Sequence, residues 1–214
     1  MKKLIPYNNE ELTETELYKK LGILTKNQAE GEQNIKNIHL LLKSDSAKIQ
    51  AKSLWLLGEM GLKYPHYIAK CVPDIAAFLN SQDALLTERA IHALGRIGRA
   101  DFDIIKPYWI DLFRFANAIE PNIRLSFIWT SENIASATPN IYRDYMDIFT
   151  TLLNDPNDKV RMESPEIFRV IGKRQPELVR PYIEILTKIS QSDENKVVRI
   201  HCLGAIKAAG IKIE

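Results

Sequence analysis

Residues 54–61 read Leu54-Trp55-Leu56-Leu57-Gly58-Glu59-Met60-Gly61, and they align without gaps with Ile91-His92-Ala93-Leu94-Gly95-Arg96-Ile97-Gly98, 37 residues further along the chain. Similar segments recur at this spacing. The five copies begin at Ile49, Leu86, Ile123, Val160 and Val198. Self-similarity at a fixed period of about 20 to 50 residues is the sequence signature of a repeat architecture. The sequence therefore predicts five copies of one structural unit.

Every copy contains an amphipathic helix. When the first residue of a copy is counted as position 0, apolar residues predominate at positions 0, 4, 8 and 11, which share one face of a helix with about 3.6 residues per turn. Position 12 is always small: Gly61, Gly98, Ala135, Gly172 and Gly210. A small residue there allows a neighbouring helix to approach closely, or it helps to end the helix.

A second helical segment precedes each copy. These first segments are predicted at 35–43, 68–80, 104–118, 141–154 and 178–190. Turn residues separate the two helices of each pair, and Pro121 and Pro156 are predicted in the first turn of the second helix, where proline is favoured. Because no stretch shows a sustained period of two, no β-strand is predicted. The repeat unit is thus a helical hairpin of about 37 residues.

Residues 1–30 precede the repeats. The spacing in Thr13-Glu14-Thr15-Glu16 is that of a capping box, and with the apolar residues after it this predicts one short helix ending near Gly22. The first hairpin of an array exposes an apolar side unless something covers it, so we assign 1–30 as an N-terminal capping segment. The array is assigned to 31–214, with repeats at about 33–64, 65–101, 102–138, 139–175 and 176–214.

The paired helices resemble HEAT repeats. The resemblance rests on the turn aspartates, on the Ala-Leu-Gly-x-Ile-Gly ending at 93–98, and on a Val-Arg-like pair that opens the second helix in Ile123-Arg124, Val160-Arg161 and Val198-Arg199. The repeats are similar to the short bacterial and archaeal kind also found in phycobilisome-lyase-like proteins. This resemblance implies an all-α, right-handed α-solenoid of about five HEAT-like hairpins behind a short capping segment. It implies little about function, since one fold serves many roles.

The composition is that of a folded chain without a membrane span. Of 214 residues, 45% are hydrophobic, and 29 basic residues against 27 acidic ones give a net charge of +2. So small a net charge provides no overall attraction to nucleic acid or anionic lipid. The apolar runs fall far short of the roughly 20 residues that a span needs, and the N-terminus lacks a signal-peptide core, so we expect a cytoplasmic protein. Cys71 and Cys202, far apart and without CxxC spacing, are expected to be buried thiols.

No catalytic constellation is recognisable in the sequence, and the protein is therefore predicted not to be an enzyme. The four histidines, His39, His66, His92 and His201, occupy separate segments without metal-ligand spacing. The sequence contains no Walker loop, GxSxG elbow or Rossmann fingerprint. We accordingly predict no catalytic residue, no metal site and no cofactor.

The face of the second helices opposite the apolar one carries the candidate binding residues. Its middle is position 6, which reads Trp55, His92, Trp129, Glu166 and Gly204. HEAT-like arrays place the second helices on their concave surface, so the resemblance implies that these residues form a ladder there. Two interpretations of the tryptophans stay open. They pack against neighbouring helices, or they are exposed anchors, since aromatic and arginine residues dominate binding hot spots.

On the second interpretation, the partner-binding residues are Trp55, Glu59, His92, Arg96, Arg99, Trp129, Glu132, Glu166, Arg169 and Lys173. We expect Trp129 to be exposed to solvent and Trp55 to be partly covered by residues 1–30. His92 is expected to add a proton-sensitive contact.

The predicted function is a non-catalytic scaffold or adaptor that binds a protein segment or peptide on the concave face. This face mixes seven basic with five acidic side chains, whereas a duplex-binding surface is expected to be strongly basic. One alternative is a nucleic-acid-binding or DNA-repair protein, because alkylpurine DNA glycosylases are built from HEAT-like repeats; Trp129, Arg96 and Arg99 are the nearest equivalents of their concave tryptophan and arginine residues. The other alternative is a bilin-lyase-like protein.

Overall fold

The computed structural model describes residues 12–26 and 31–210, and these residues form helices and turns without any β-strand. The helices are α1 (Glu14–Lys26), α2 (Gly31–Leu40), α3 (Ala47–Lys63), α4 (Pro65–Ile68), α5 (Val72–Ala77), α6 (Ala84–Ala100), α7 (Phe102–Trp109), α8 (Pro121–Ala135), α9 (Met146–Leu152), α10 (Asp158–Gly172), α11 (Pro176–Val179), α12 (Ile183–Ser192) and α13 (Lys196–Ala208). The predicted all-α repeat fold is confirmed. Parts of two predicted regions, 1–11 and 27–30 of the capping segment and 211–214 of the last repeat, lie outside the described residues.

The chain forms two compact units, Met1–Tyr108 and Trp109–Glu214. The first unit contains the second helices α3 and α6, and the second unit contains α8, α10 and α13. The boundary falls within α7. Each unit buries its own apolar residues and is described by itself below.

In the first unit, the two second helices pack directly against each other. Leu54 and Leu57 of α3 and Ile91 and Leu94 of α6 are fully buried, as their shared positions in the repeat predict. The contact is close at Gly58, because a Cβ atom added there would lie 2.8 Å from the Cα atom of Ala93. Only glycine allows the two backbones to approach this far.

Helix α1 packs on α3 and extends further than predicted. The capping box is present: the backbone N–H of Thr13 donates to Glu16 Oε2 at 2.9 Å, and the N–H of Glu16 donates to Thr13 Oγ1 at 3.4 Å. The helix ends at Lys26 and not near Gly22, so that part of the prediction is wrong. Glycine within a helix costs only about 1 kcal/mol, and the burial of Leu24 in the next turn outweighs this cost.

The second unit is built around aromatic side chains. Phe127 of α8 and Phe149 of α9 stack with their ring centroids 5.3 Å apart. Trp109 packs edge-to-face against Phe113 at 5.1 Å and against the buried Tyr142 at 5.7 Å. Such contacts add to the free energy gained by burying the rings.

The first segments of the repeats are interrupted, whereas continuous helices were predicted. Turns of 3₁₀ helix occur at Leu41–Lys43, Ala69–Cys71, Phe78–Asn80, Ile110–Asn117, Pro139–Tyr145 and Arg180–Tyr182. Prolines explain most of these interruptions, since a proline has no N–H to donate to the carbonyl four residues earlier. They stand at Pro65, Pro73, Pro107, Pro139, Pro176 and Pro181. The second helices are continuous, even through Pro165 of α10.

The predicted position in the first turn of a second helix is confirmed for Pro121 and wrong for Pro156. Pro121 is the first residue of α8, as predicted. Pro156 precedes α10, so its assignment to that helix is wrong. Asn157 caps α10 through its side-chain oxygen, which accepts the N–H of Lys159 at 3.1 Å, and the helix therefore begins only at Asp158.

Position 12 serves both of the purposes predicted for it. A Cβ atom at Gly61 would lie 2.4 Å from Ile97 Cγ1, so this glycine makes room for the neighbouring helix α6. Gly210 has a φ of 77° and follows the last turn of α13, where the left-handed conformation ends a helix.

The two cysteines are buried, as predicted. Burial is the main cause that raises the pKa of the Cys71 thiol to about 11 and that of the Cys202 thiol to about 12. Both are therefore neutral thiols near pH 7.

The side chain at position 1 of every second helix donates to carbonyl oxygens at the end of the preceding first segment or in the turn after it. Arg124 donates from Nη1 to the carbonyl oxygens of Ala118 and Ile119 at 2.7 and 3.0 Å. Its remaining nitrogens bind both carboxylate oxygens of Asp155, the turn aspartate of the next repeat, at 2.6 and 2.7 Å. Arg161 likewise reaches Asp193 at 3.2 Å. The arginine thus closes its own hairpin and joins it to the next.

The substitution Leu94→Ala is expected to lower the free energy of unfolding by about 2 to 5 kcal/mol, because it leaves a cavity in a fully buried site. Urea denaturation followed by far-UV circular dichroism measures the loss. Leu85→Ala changes the same residue type on the same helix at a side chain that is 43% exposed. This control is expected to cost less than about 1 kcal/mol; equal losses for both variants would contradict the assignment of Leu94 to the core.

The substitution Arg124→Met is expected to cost about 3 to 5 kcal/mol, because it leaves the buried Asp155 carboxylate without its bidentate partner. Arg199→Met is the matched control: that guanidinium donates to the carbonyl oxygens of Asp193 and Glu194, and its loss is expected to cost about 1 kcal/mol. The same denaturation experiment compares them. A loss at Arg124 no larger than that at Arg199 would show that the ion pair does not join the repeats.

Candidate binding surfaces on the second helices

The two tryptophans of the second helices differ in exposure. Trp129 of α8 is 38% exposed, whereas Phe127 on the same helix is 1% exposed. Trp55 of α3 is half-buried. Both observations agree with the exposure expected from the repeat register.

Trp55 lies between two clefts of the first unit. On one side it lines a narrow apolar cleft with Leu24 and Thr25 of α1, so α1 partly covers it, as expected. On the other side it lines a wider cleft with a volume of about 350 Å³. The residues lining this wider cleft are Tyr18, Ala47, Lys48, Ala51, Lys52, Trp55, Leu85 and Arg89. We call it the basic cleft, since three of these residues are basic and none is acidic.

Glu59 and Arg96 bind each other across α3 and α6. Arg96 Nε lies 2.5 Å from Glu59 Oε1, and about three quarters of each side chain is buried. The pair therefore holds the two helices together and leaves little of either charge for a partner.

His92 does not supply the proton-sensitive contact that we expected. Burial, and to a lesser extent the charges of Arg96 and Arg89, lower the pKa of His92 to about 4. The imidazole is therefore neutral throughout the physiological pH range, and the expectation is wrong. The sequence shows the neighbouring cations but not the burial, which is the larger cause.

Glutamates of α8 and α10 lie close together in the second unit. Glu166 is only 8% exposed, forms an ion pair with Arg169, and lies 3.6 Å from His201 Nδ1. The same His201 nitrogen is 2.6 Å from the carbonyl oxygen of Met162. Glu166, assigned as a contact residue, is thus covered by its own neighbours.

Glu132 is the most strongly perturbed acid of this group. Burial raises the pKa of its carboxyl to about 9; the charges of Glu163 and Glu166 raise it further, and Arg169 opposes them. Its Oε1 atom is buried without a hydrogen-bond partner among the described residues. At neutral pH this carboxyl is therefore protonated, and it adds no negative charge to the surface.

Arg99 and Lys173 are exposed at the ends of α6 and α10. Cations are favoured there because the carboxyl end of a helix carries partial negative charge. Of the ten predicted contact residues, Arg99, Lys173 and Trp129 are the most open to solvent.

Seven of the eight residues that line the basic cleft are not among the predicted contact residues, and three of these seven are Tyr18, Lys48 and Leu85. Tyr18 lies in α1, outside the repeats, and the other two directly precede position 0 of their copies. The first turns of α3 and α6 contain no acidic residue, but this signal does not single out the cleft, because the first turns of α8 and α13 contain none either. Acidic residues are usually favoured at that end of a helix.

The described residues contain neither a candidate metal site nor a candidate membrane span. In 12–26 and 31–210, no group of three or more His, Cys, Asp or Glu side chains is placed to hold a metal ion. Within the same ranges, no helix combines the length and the apolar character needed to cross a membrane.

Taken together, these features describe a helical repeat protein, and its fold is similar to that of solved repeat proteins. A designed armadillo repeat protein in complex with the peptide (KR)4 is 16% identical, with 93% of this chain and 95% of that chain covered and a TM-score of 0.65. An engineered protein from the Northeast Structural Genomics Consortium is also 16% identical, with 98% and 99% covered and a TM-score of 0.67. Computationally designed armadillo repeat proteins for modular peptide recognition are 14% identical, with 92% and 94% covered and a TM-score of 0.62.

These likenesses show that the chain has a helical repeat fold, similar to that of designed armadillo repeat proteins. No family model and no curated protein matches the sequence. At identities of 14 to 16% the similarity concerns the fold alone.

The raised pKa of Glu132 predicts a pH dependence of stability. The folded chain keeps a proton on Glu132 up to about pH 9, whereas the unfolded chain releases it near 4.5. Between these values the folded state binds more protons, so stability falls as the pH rises. Glu132→Gln is expected to remove this contribution, which amounts to about 1.4 kcal/mol for each pH unit.

Urea denaturation at a series of pH values measures the effect. Glu177→Gln, an exposed glutamate of the same unit, is the control and is expected to keep the wild-type pH dependence. If Glu132→Gln follows the wild-type curve at every pH, Glu132 is ionised in the folded protein.

Proposed function

We propose that the protein is a non-catalytic scaffold or adaptor that binds a segment of a partner protein on its second-helix faces. The observation that carries the proposal is the exposure of Trp129, on a helix that buries its other aromatic residue. Tryptophan is the residue type most typical of interface hot spots, because its indole ring offers a large apolar surface with few rotatable bonds.

Ion pairs hold two arginine side chains of the second helices in fixed positions, so these parts of the surface are ordered before a partner binds. Arg96 is fixed by Glu59 in the first unit, and Arg169 is fixed by Glu166 in the second. Because these side chains are already ordered, this protein would lose less side-chain entropy when a partner binds beside them. Such preorganisation favours recognition of an extended segment.

The solved structures support a peptide as the kind of partner. One similar designed armadillo repeat protein is in complex with the peptide (KR)4, and others were designed for modular peptide recognition. We propose that in this chain an extended segment is bound on the second-helix faces. The proposal takes from these proteins only the kind of partner, because their contact residues are not transferable at such identities.

The repeats themselves we assign to the HEAT-like type, on the strength of the arginines at position 1 and of the Ala-Leu-Gly-x-Ile-Gly ending. No specific observation favours the DNA-repair or bilin-lyase alternative. Arg96, one of the three residues on which the DNA-repair alternative rests, is already paired with Glu59.

The proposal is tested by selecting peptides of random sequence, displayed on phage, against the immobilised full chain. Peptides that bind are synthesised, and their dissociation constants are measured by fluorescence anisotropy. Trp129→Ala is expected to weaken binding by about 1 kcal/mol or more, as for a hot-spot residue. The melting temperature should change little, since the indole is not part of the core.

Ile110→Ala is the matched control, because Ile110 is an exposed apolar residue of a first segment in the same unit. It is expected to leave binding unchanged. The proposal is wrong if the selection yields no binding peptide. It is also wrong if Trp129→Ala binds the selected peptides as tightly as the wild type does.

A further inference from the structure

The basic cleft of the first unit holds its cations in place against aromatic rings. Lys48 Nζ lies 4.4 Å from the centroid of the Tyr18 ring, and Lys52 Nζ lies 4.6 Å from that of Trp55. A cation over an aromatic face is attracted by about 0.5 to 1 kcal/mol at an exposed site. Both ammonium groups are therefore positioned in the wall of the cleft before any ligand arrives.

Helix ends add to the positive potential of this cleft. Its lining includes residues 47 and 48 at the start of α3 and residue 85 at the start of α6. The amino-terminal end of a helix carries about half a positive charge, and a cation beside it is unfavourable. Lys48 occupies such a position, in a first turn without any acidic residue. Lys48 therefore adds to the positive potential of this end of the cleft.

The acidic groups near the cleft compensate only part of this charge. Glu88 Oε1 lies 3.7 Å from Arg89 Nη1, at the long end of an ion pair. Asp83 caps α6 and accepts the backbone N–H groups of Leu85 and Leu86 at 2.9 and 3.4 Å. Burial and the charge of Arg89 both lower the pKa of Lys52, so these two cations already disfavour each other. An anion placed between them would relieve this repulsion.

We propose that the basic cleft binds an acidic segment of the partner protein, with Asp or Glu carboxylates between Lys48, Lys52 and Arg89 and an apolar side chain against the exposed Leu85. This inference rests on the proposed function and specifies the chemistry of the bound segment. The volume of about 350 Å³ suits one or two side chains of a peptide. The charge preference is opposite to that of the peptide (KR)4 in the similar designed protein.

A peptide carboxylate fits the cleft better than a nucleic acid does. Single-stranded nucleic acids are bound by stacking their bases on aromatic faces along a basic groove. Here one face of Tyr18 and one of Trp55 are covered by the protein's own lysines. Three cations also provide few phosphate contacts, in a chain whose net charge is only +2.

The test uses three fluorescein-labelled peptides of equal length with a central phenylalanine, flanked by glutamates, by glutamines or by lysines. Fluorescence anisotropy measures their binding to the full chain. The glutamate peptide is expected to bind at least about tenfold more tightly than the glutamine peptide. Its affinity should fall as NaCl is raised from about 50 to about 200 mM, since the contacts are ionic.

The double variant Lys48→Gln/Lys52→Gln is expected to weaken binding of the glutamate peptide about tenfold or more. Lys43→Gln/Lys70→Gln removes the same charge from exposed lysines of the same unit that do not line the cleft, and it is expected to retain the wild-type affinity. Far-UV circular dichroism checks that both variants fold. If the first variant unfolds, Arg89→Gln in its place is expected to show the same weakening.

Several results would overturn the inference. Equal or tighter binding of the glutamine or lysine peptide would do so, as would equal losses in the two double variants. Tighter binding of a single-stranded oligonucleotide, sensitive to Lys48→Gln/Lys52→Gln, would assign the cleft to nucleic acid. The two proposals can be refuted separately. If the peptides selected from the random library contain no Asp or Glu, this inference alone is wrong. If the selection yields no binding peptide, the proposed function is wrong.

Discussion

The polar side chain at position 1 of each second helix holds the two segments of its hairpin together, and the repeat depends on this contact. The last carbonyl oxygens of a helix have no partner within it, and leaving them buried and unpaired is costly. Position 1 donates to carbonyl oxygens at the end of the first segment or in the turn that follows it, through Gln50, Thr87, Arg124, Arg161 and Arg199. In the second unit two of the arginines also bind the turn aspartate of the next repeat. These bonds fix the start of each second helix against the end of the segment before it.

The repeat period, the second helices, the small residue at position 12 and the arginine at position 1 could be predicted because each depends on residue type and spacing alone. The interrupted first segments could not, because several prolines act together there and no single one of them determines where a 3₁₀ turn begins. The extent of α1 was missed because Gly22 suggested an end, whereas the burial of Leu24 depends on contact with α3. Local signals predict elements well until tertiary packing outweighs them.

For the candidate surface, the sequence predicted which residues share a face but not how they interact. Glu59 and Arg96 both occupy position 10 of consecutive repeats, so the register alone could have suggested that they form a pair. The lowered pKa of His92 and the raised pKa of Glu132 could not be predicted from the sequence, because burial is the main cause of both shifts. The basic cleft needs Tyr18, which no repeat pattern includes. Surface chemistry in such an array therefore depends as much on the segment outside the repeats as on the repeats.

Each unit contains one buried cysteine, and the rate at which that thiol is alkylated depends on how often the unit opens locally. Cys71 belongs to the first unit and Cys202 to the second, and the sequence contains no other cysteine. Since only an exposed thiolate reacts readily, alkylation of each thiol requires that its surroundings open first. The two modification rates, separated by mass spectrometry of proteolytic fragments, would thus report the local stability of the two halves independently. Without any engineered label, the protein can show whether its repeats open together or one unit at a time.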